Sequence, residues 1–365
     1  MKRGSDPGET AGFRPPNMTD TVLLADYKAL GLVVIGRNEG DRLVRCLASV
    51  RSIPNRVYVD SGSTDGSVGA AVREGVSVVE LEIPPGFTAA RARNAGLAKL
   101  LAQYPDLEFV QMVDGDCEIH QDWIPAGLAA LRGEPRLAAV YGRLRERFPT
   151  RSVYNAICDN DWNVPIGEAE IIGGIVLLRV SALRQANFYD PTIIAGEEPD
   201  LAMRLRKSGW QLRRIDAEMG SHDADMTRFT QWWTRARRTG HAFGELAYRH
   251  PDARKPNLPR TILSIIFWGG FVPPAMATVV ALAIYDSPSW WFVVGLALLT
   301  WPVRVIRITR RRLARGLTLK VASASAVLLT IGKLPEFIGF VQYHRNRLMG
   351  RASRLIEHKG PSGTV

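Results

Sequence analysis

Apolar positions along this chain follow two rhythms. Short apolar runs alternate with stretches in which apolar residues recur every three or four positions. "GLVVIG" (31–36), "RVYVD" (56–60), "VSVVELEI" (76–83) and "LEFVQMV" (107–113) read as strands. "DRLVRCLASV" (41–50) and "TAARARNAGLAKLLAQ" (88–103) read as helices. A second half continues with apolar runs at 138–144 and 170–179. An acidic loop then enters a helix at "GEEPDLAMRLRKSGW" (196–210), and an aromatic, basic helix follows at 226–246. Strands alternating with helices imply an α/β domain, Rossmann-like, with a mostly parallel sheet covered by helices on both faces.

The rhythm changes after residue 260. "TILSIIFWGGFVPPAMATVVALAIY" (261–285) is 25 residues without a charge, long enough to span a bilayer. Pro273 and Pro274 would kink it, which membrane helices tolerate. The turn "DSPS" (286–289) leads into "WWFVVGLALLTWPV" (290–303), where Trp290, Trp291 and Trp301 sit like interfacial aromatics; this stretch is short for a span unless Arg304 snorkels. Residues 304–320 read as a densely basic loop. Residues 321–343 are apolar again but carry Lys333 and Glu336, and read as an interfacial or re-entrant helix in preference, with a transmembrane helix as the alternative. The expected division is a disordered leader over 1–27, an α/β domain over 28–250 and a membrane-associated helical region over 251–365. The leader has charge but no apolar core of a signal peptide.

Charge sharpens this division. The net charge is +11, yet residues 1–250 hold 31 Lys and Arg against 32 Asp and Glu, whereas residues 251–365 hold 16 against 4. The basic excess belongs to the tail, which argues against nucleic acid as a partner of the main domain. By the positive-inside rule, both ends of a hairpin over 261–303 face the cytoplasm, which places the protein on the cytoplasmic face of the cell membrane. Three cysteines with no paired spacing imply no disulfide framework, and Cys117 reads as structural.

In sheets of this kind ligands bind beyond the carboxyl ends of the strands. Three polar clusters fall there: Arg37-Asn38-Glu39, Asp60-Ser61-Gly62 and Asp114-Gly115-Asp116. Asp114 and Asp116 are the sharpest signal, because two carboxylates at i and i+2 after a buried strand repel each other. A hard divalent cation, Mg²⁺ or Mn²⁺, offsets that repulsion and retains positions for substrate phosphates. The bland reading of Asp-x-Asp is a solvated turn.

Taken in order, "VVIGRNEGDRLVRCLASV", "VDSGSTDGS", "ARARNAG", "VDGD", "GEEPDLAMRLRKSGW" and "HD" resemble a family 2 glycosyltransferase of the GT-A fold, membrane-associated and of bacterial type, over about residues 31–245. The resemblance implies an inverting transfer of a sugar from a nucleotide diphosphate, UDP or GDP. It implies that Asp60 contacts the nucleotide base, Asp65 supports the turn, Arg93 and Asn94 face the diphosphate, and Asp116 is the principal metal ligand. Asp114 falls on the ribose or the metal. His222 matches a position that supplies a further metal ligand in some members. Glu198 stands where the family usually has Asp, with Asp200 and Glu197 as the other acids of "GEEPD"; Glu198 is the expected base and Asp200 the runner-up. Gly173 and Gly174 allow close approach beside the acceptor.

Processive members carry Gln-x-x-Arg-Trp. Here Gln231 is followed by Trp232 and Trp233 and only then by Arg235, so a single transfer is expected. Trp232 and Trp233 read equally as an acceptor platform or as packing. A basic membrane tail suits a lipid-linked or polysaccharide acceptor. Two rival readings remain open: a sugar nucleotidyltransferase, which should carry a Gly-rich basic loop after its first strand, and a non-catalytic membrane-bound module that binds nucleotide sugars.

Overall fold

The computed structural model describes residues 27–82, 86–252 and 257–351. The expected leader, apart from Tyr27, lies outside the described residues, as does the chain beyond Arg351. The first half contains β1 (Leu30–Gly36), α1 (Asp41–Ser49), β2 (Asn55–Asp60), α2 (Ser67–Arg73), β3 (Ser77–Glu80), α3 (Ala89–Gln103) and β4 (Phe109–Asp114). Next come β5 (Cys117–Ile119), α4 (Trp123–Gly133), β6 (Leu137–Glu146), α5 (Val153–Asp161), β7 (Gly167–Glu168), β8 (Val176–Arg179), α6 (Val180–Gln185), α7 (Glu197–Lys207) and β9 (Gln211–His222).

The strands form one sheet in the order β3-β2-β1-β4-β8-β6-β9-β5, with β7 paired to β9. Successive side chains on a strand point to opposite faces, and the two faces bury different partners. Val33, Val57, Val59, Val110 and Met112 pack with Ala90, Leu97 and Leu100 of α3. Leu32, Val34, Tyr58, Phe109 and Val113 pack with Leu43 and Leu47 of α1 and with Trp123 of α4. Burial on both faces explains why these strands read as near-continuous apolar runs.

The sheet is mixed rather than mostly parallel. β3, β2, β1 and β4 are parallel. β8 then runs antiparallel to both β4 and β6, β6 pairs parallel with β9, and β5 pairs antiparallel with β9. The link from β4 to β5 is the two residues Gly115 and Asp116, far too short for a parallel crossover. β8 begins at Val176 rather than 170, which leaves Gly173 and Gly174 in irregular backbone. The sequence reading had not separated α4, α5 and β9 as elements.

After α8 (Phe229–Arg249) come α9 (Asn257–Ile265), a π-helical stretch (Ile266–Phe271), α10 (Val272–Tyr285), α11 (Trp290–Leu313), α12 (Leu319–Ile331) and α13 (Lys333–Leu348). Among the described residues, three stretches are long and apolar enough to cross a membrane by length and composition: Leu258–Tyr285, Trp290–Leu313 and Leu319–Leu348. The widened π turn sits just before Pro273 and Pro274, which lack the N–H groups a regular helix needs. The segment read as a basic loop is helical as far as Leu313, because nothing breaks the helix before Gly316, whose φ is 84°.

The tail packs directly on the domain through α8 and α13. A Cβ added at Gly240 would lie 1.8 Å from the Glu336 carbonyl oxygen, and one at Gly339 would lie 1.9 Å from that of Arg237. The two backbones therefore touch, and neither position has room for a side chain. We expect Gly240→Val to push the helices apart and cost about 1–3 kcal/mol, read as a lowered Tm of the detergent-solubilised protein; an unchanged Tm would contradict this packing.

Candidate active site

The first two polar clusters meet beyond the carboxyl ends of β1 and β2. Asp60 is 2% exposed. Its Oδ1 accepts hydrogen bonds from the Tyr58 hydroxyl (2.9 Å) and Ser63 Oγ (2.5 Å), and its Oδ2 accepts from the amides of Gly62 (2.9 Å) and Ser63 (2.7 Å). The carboxylate expected to meet a nucleotide base is thus committed to closing its own turn. Asp65 accepts from the Ser67 amide (3.0 Å) and hydroxyl (2.6 Å) and from the Gly40 amide (2.9 Å), so it joins the start of α2 to the loop after β1. In that loop the Asn38 amide donates to Ser63 Oγ (2.9 Å) and Asn38 Oδ1 accepts from the Thr64 amide (2.7 Å). Arg37 lies over the Phe87 ring, 5.4 Å from its centroid, and Glu39 pairs with Arg42 at 2.9 Å.

The centre of the site is a buried arginine. Arg93 projects from α3, and its side chain is 3% exposed. Its Nη2 lies 3.1 Å from Asp114 Oδ1, and its Nη1 lies 2.8 Å from Glu197 Oε1 and 3.0 Å from Glu198 Oε1. One guanidinium therefore joins the end of β4 to the first turn of α7. The Tyr189 ring flanks it at 5.5 Å. Asn94, expected to face the diphosphate with Arg93, instead clasps the backbone of Tyr189, donating to its carbonyl at 2.7 Å and accepting from its amide at 3.1 Å. A Cβ on Gly174 would lie 2.6 Å from Asp114 Oδ2 and 2.7 Å from Arg93 Nη2, so only glycine lets that backbone pass the cluster. A Cβ on Gly173 would meet open space.

The acids at the start of α7 are not equivalent. Burial, reinforced by the neighbouring Glu197 charge and opposed by Arg93, raises the Glu198 carboxyl to about 7. Its side chain keeps 18% exposure, so it remains reachable. Burial alone would also raise Asp200, but hydrogen bonding to His250 and the Arg204 charge outweigh it and hold Asp200 below the ordinary carboxylate range. Its Oδ1 is 2.7 Å from His250 Nε2, and Arg204 donates to Oδ2 at 2.8 Å. Asp200 thus fastens α7 to the end of α8.

On the other side of the β4–β5 turn, Asp116 is 6% exposed, with Oδ2 3.1 Å from His222 Nε2. The Cys117 thiol lies 3.2 Å from Asp116 Oδ1. Antiparallel register pairs Cys117 with His222, which delivers the imidazole from β9 to the turn. Among the described residues, Asp116, Cys117 and His222 each offer a ligand atom within 4.8 Å of one another. Asp114, expected as a second metal ligand, turns toward Arg93 instead. Burial lowers the His222 pKa and favours the neutral imidazole, the form that binds metals. A carboxylate and an imidazole with a partly open face suit a divalent cation such as Mn²⁺.

Trp232 packs inward with Cys158, Ala224 and Met226, while Trp233 lies 5.8 Å from the Phe229 ring. Sequence reasoning missed Trp162, whose ring stacks on His222 at 4.7 Å. It also missed Tyr189 beside Arg93 and His250 on Asp200. No spacing announces these residues, since each reaches the site from a different element.

Residues 32–206 match the family model described as glycosyl transferase family 2. A pre-mycofactocin glycosyltransferase of Mycobacterium tuberculosis is 27% identical over 249 residues, 63% of this chain and 50% of the relative. Glycosyltransferase AglE of Haloferax volcanii is 24% identical over 203 residues, 51% of this chain and 64% of its own length. The chain therefore spans about half the length of the mycobacterial relative. Among solved structures, the mannosyltransferase PcManGT from Pyrobaculum calidifontis, in complex with GDP-Man and Mn²⁺, is similar in fold, with a TM-score of 0.57 at 18% identity over 89% of this chain and 95% of that one. The α/β domain thus has a GT-A-like fold, and the apolar helices follow it.

Replacing Arg93 by Met should leave three carboxylates crowded without their shared cation, at a cost of about 3–5 kcal/mol. Glu198, already raised by burial and by Glu197, would lose the opposing Arg93 charge and rise further, so its protonated form favours the folded state. The deficit should therefore be smaller at pH 5.5 than at pH 8, as read by urea denaturation at both; an equal deficit would mean that charge is not its cause.

Proposed function

We propose that this chain is a metal-dependent, inverting glycosyltransferase that moves a single sugar from a nucleotide-diphosphate sugar to a hydroxyl of a membrane-linked glycan. The observation that carries this reading is the pairing, across Arg93, of an acid raised to about 7 with the Asp114–Asp116 turn. The acceptor oxygen attacks the anomeric carbon as the bond from that carbon to the diphosphate breaks. Glu198, in the role of base, takes the hydroxyl proton. Arg93, itself held by Glu197, holds Glu198 in place, and Asp200 braces the helix that carries it. A divalent cation, Mg²⁺ or Mn²⁺, held by Asp116 and His222 would supply Lewis-acid stabilisation of the leaving diphosphate. The loops tied together by Asn38, Asp60 and Asp65 shape the nucleotide pocket, with Arg37 at its rim. UDP and GDP are both consistent with that pocket.

The tail supports a membrane-embedded acceptor, a lipid-linked or polysaccharide glycan, reached from the cytoplasmic face. The basic end of α11 and the charge asymmetry favour that orientation. The 28–250 and 251–365 division then separates chemistry from anchoring, although α8 belongs to both.

Thermal stability of the full-length protein against UDP, GDP, CMP and ADP, each with and without Mn²⁺, tests the donor site. A shift with one diphosphate that requires metal supports the reading and names the nucleotide; no shift with any of them sinks it. Glu198→Gln should lower turnover about 10²- to 10⁴-fold while leaving the nucleotide shift intact. Because the working form of Glu198 is the carboxylate, kcat/KM should climb as pH rises through about 7 and then level off. A flat profile from pH 5.5 to 8.5 would exclude Glu198 as the base.

A further inference from the structure

His222 sits at the end of β9, where its ring could turn about χ2 at little cost, since such torsions are broad. Besides Asp116, whose Oδ2 is 3.1 Å from its Nε2, one ring from outside the strand restrains it. The Trp162 ring stacks on the imidazole with centroids 4.7 Å apart and planes 29° from parallel. Trp162 ends α5, and its amide donates to the Cys158 carbonyl at 3.0 Å. Trp162 and Trp232 both pack against Cys158, Ala224 and Met226, so the same cluster grips the chain just after His222.

This cluster is bound to the tail at two points. Asp161, next to Trp162, accepts a hydrogen bond from Arg312 Nη1 at 2.9 Å, across 151 positions of sequence. Arg312 lies in the last turn of α11 and is the better buried partner, at 12% exposure against 45% for Asp161. Trp232 in turn lies against the α12–α13 junction, 3.2 Å from where a Cβ on Gly332 would sit. A half-exposed ion pair contributes little stability. Its consequence here is registration: it fixes where the end of α5 lies relative to the tail.

We propose that Trp162 is a positioning residue for His222, and that the Asp161–Arg312 pair makes this positioning depend on how the apolar tail is seated. The proposal rests on His222 binding the cation, as proposed above. It gives the tail a second role besides holding the protein at a membrane: a shift of α11 would be felt as a change in metal affinity. Residues that orient metal ligands from behind typically change affinity about 10- to 100-fold when removed.

The test is a Mn²⁺ titration of the full-length protein in lipid nanodiscs, with free Mn²⁺ read by electron paramagnetic resonance. Trp162→Ala should weaken Mn²⁺ binding about tenfold, and Trp162→Phe, which keeps a stacking ring, should restore most of it. Arg312→Gln should weaken binding several-fold, and the charge swap Asp161→Arg with Arg312→Asp should recover it. Because the Asp161–Arg312 pair is partly exposed, these variants keep the fold, and matching Tm values verify that. If Trp162→Ala and Arg312→Gln both bind within twofold of the wild type while His222→Ala does not, the positioning role is wrong and the metal reading stands. If His222→Ala binds like the wild type, the metal reading falls and this proposal falls with it.

Discussion

A single buried guanidinium sets the terms for this site. Arg93 stands among Asp114, Glu197 and Glu198, taken from a strand end and a helix start that lie far apart in sequence. Without a cation between them, these carboxylates could not share so little space in a low-dielectric interior. With it, two halves of the fold are joined at the position where the sheet opens. The glycine at 174 is required by the same cluster, because its backbone runs against both Asp114 and Arg93. Clusters that compress charge in this way shift pKa values, and active sites use such shifts.

The mixed sheet explains how the remaining groups arrive. Its parallel half delivers the loops after β1 and β2, which Asn38 and Asp65 knit into one surface. The two-residue turn after β4 reverses the chain too sharply for a crossover, and the short β5 that results borrows its pairing from β9. That pairing carries His222 to Asp116. The loops after β1 and β2, the acid cluster and the candidate metal ligands thus meet on one rim of the sheet, the rim where open α/β folds bind ligands.

The helices after residue 228 are not a loosely attached anchor. Facing glycines let α8 and α13 touch backbone to backbone, and α8 also supplies His250, beyond its last turn, to Asp200 at the start of α7. The membrane region and the catalytic rim therefore share an element.

The alternation of apolar runs and helical spacing was enough to establish the α/β layers. The charge-free run at 261–285 and the basic excess beyond it were enough to mark a membrane-associated tail, because burial on two faces and immersion in lipid both leave their record in local composition. The ordered motifs pointed to Arg93, Asp116, Glu198 and His222 as residues of one rim. Tertiary structure alone decided what each does there. Asp60 reads as a ligand contact in sequence but spends all of its bonds on its own turn. Asn94 clasps Tyr189, Asp114 faces Arg93, and Trp162 stacks on His222. The direction of β8 and the continuation of α11 through its arginines were likewise settled by packing. A motif records which groups are present near a strand end. Which lone pair meets which donor depends on partners many residues away, and no local pattern constrains those.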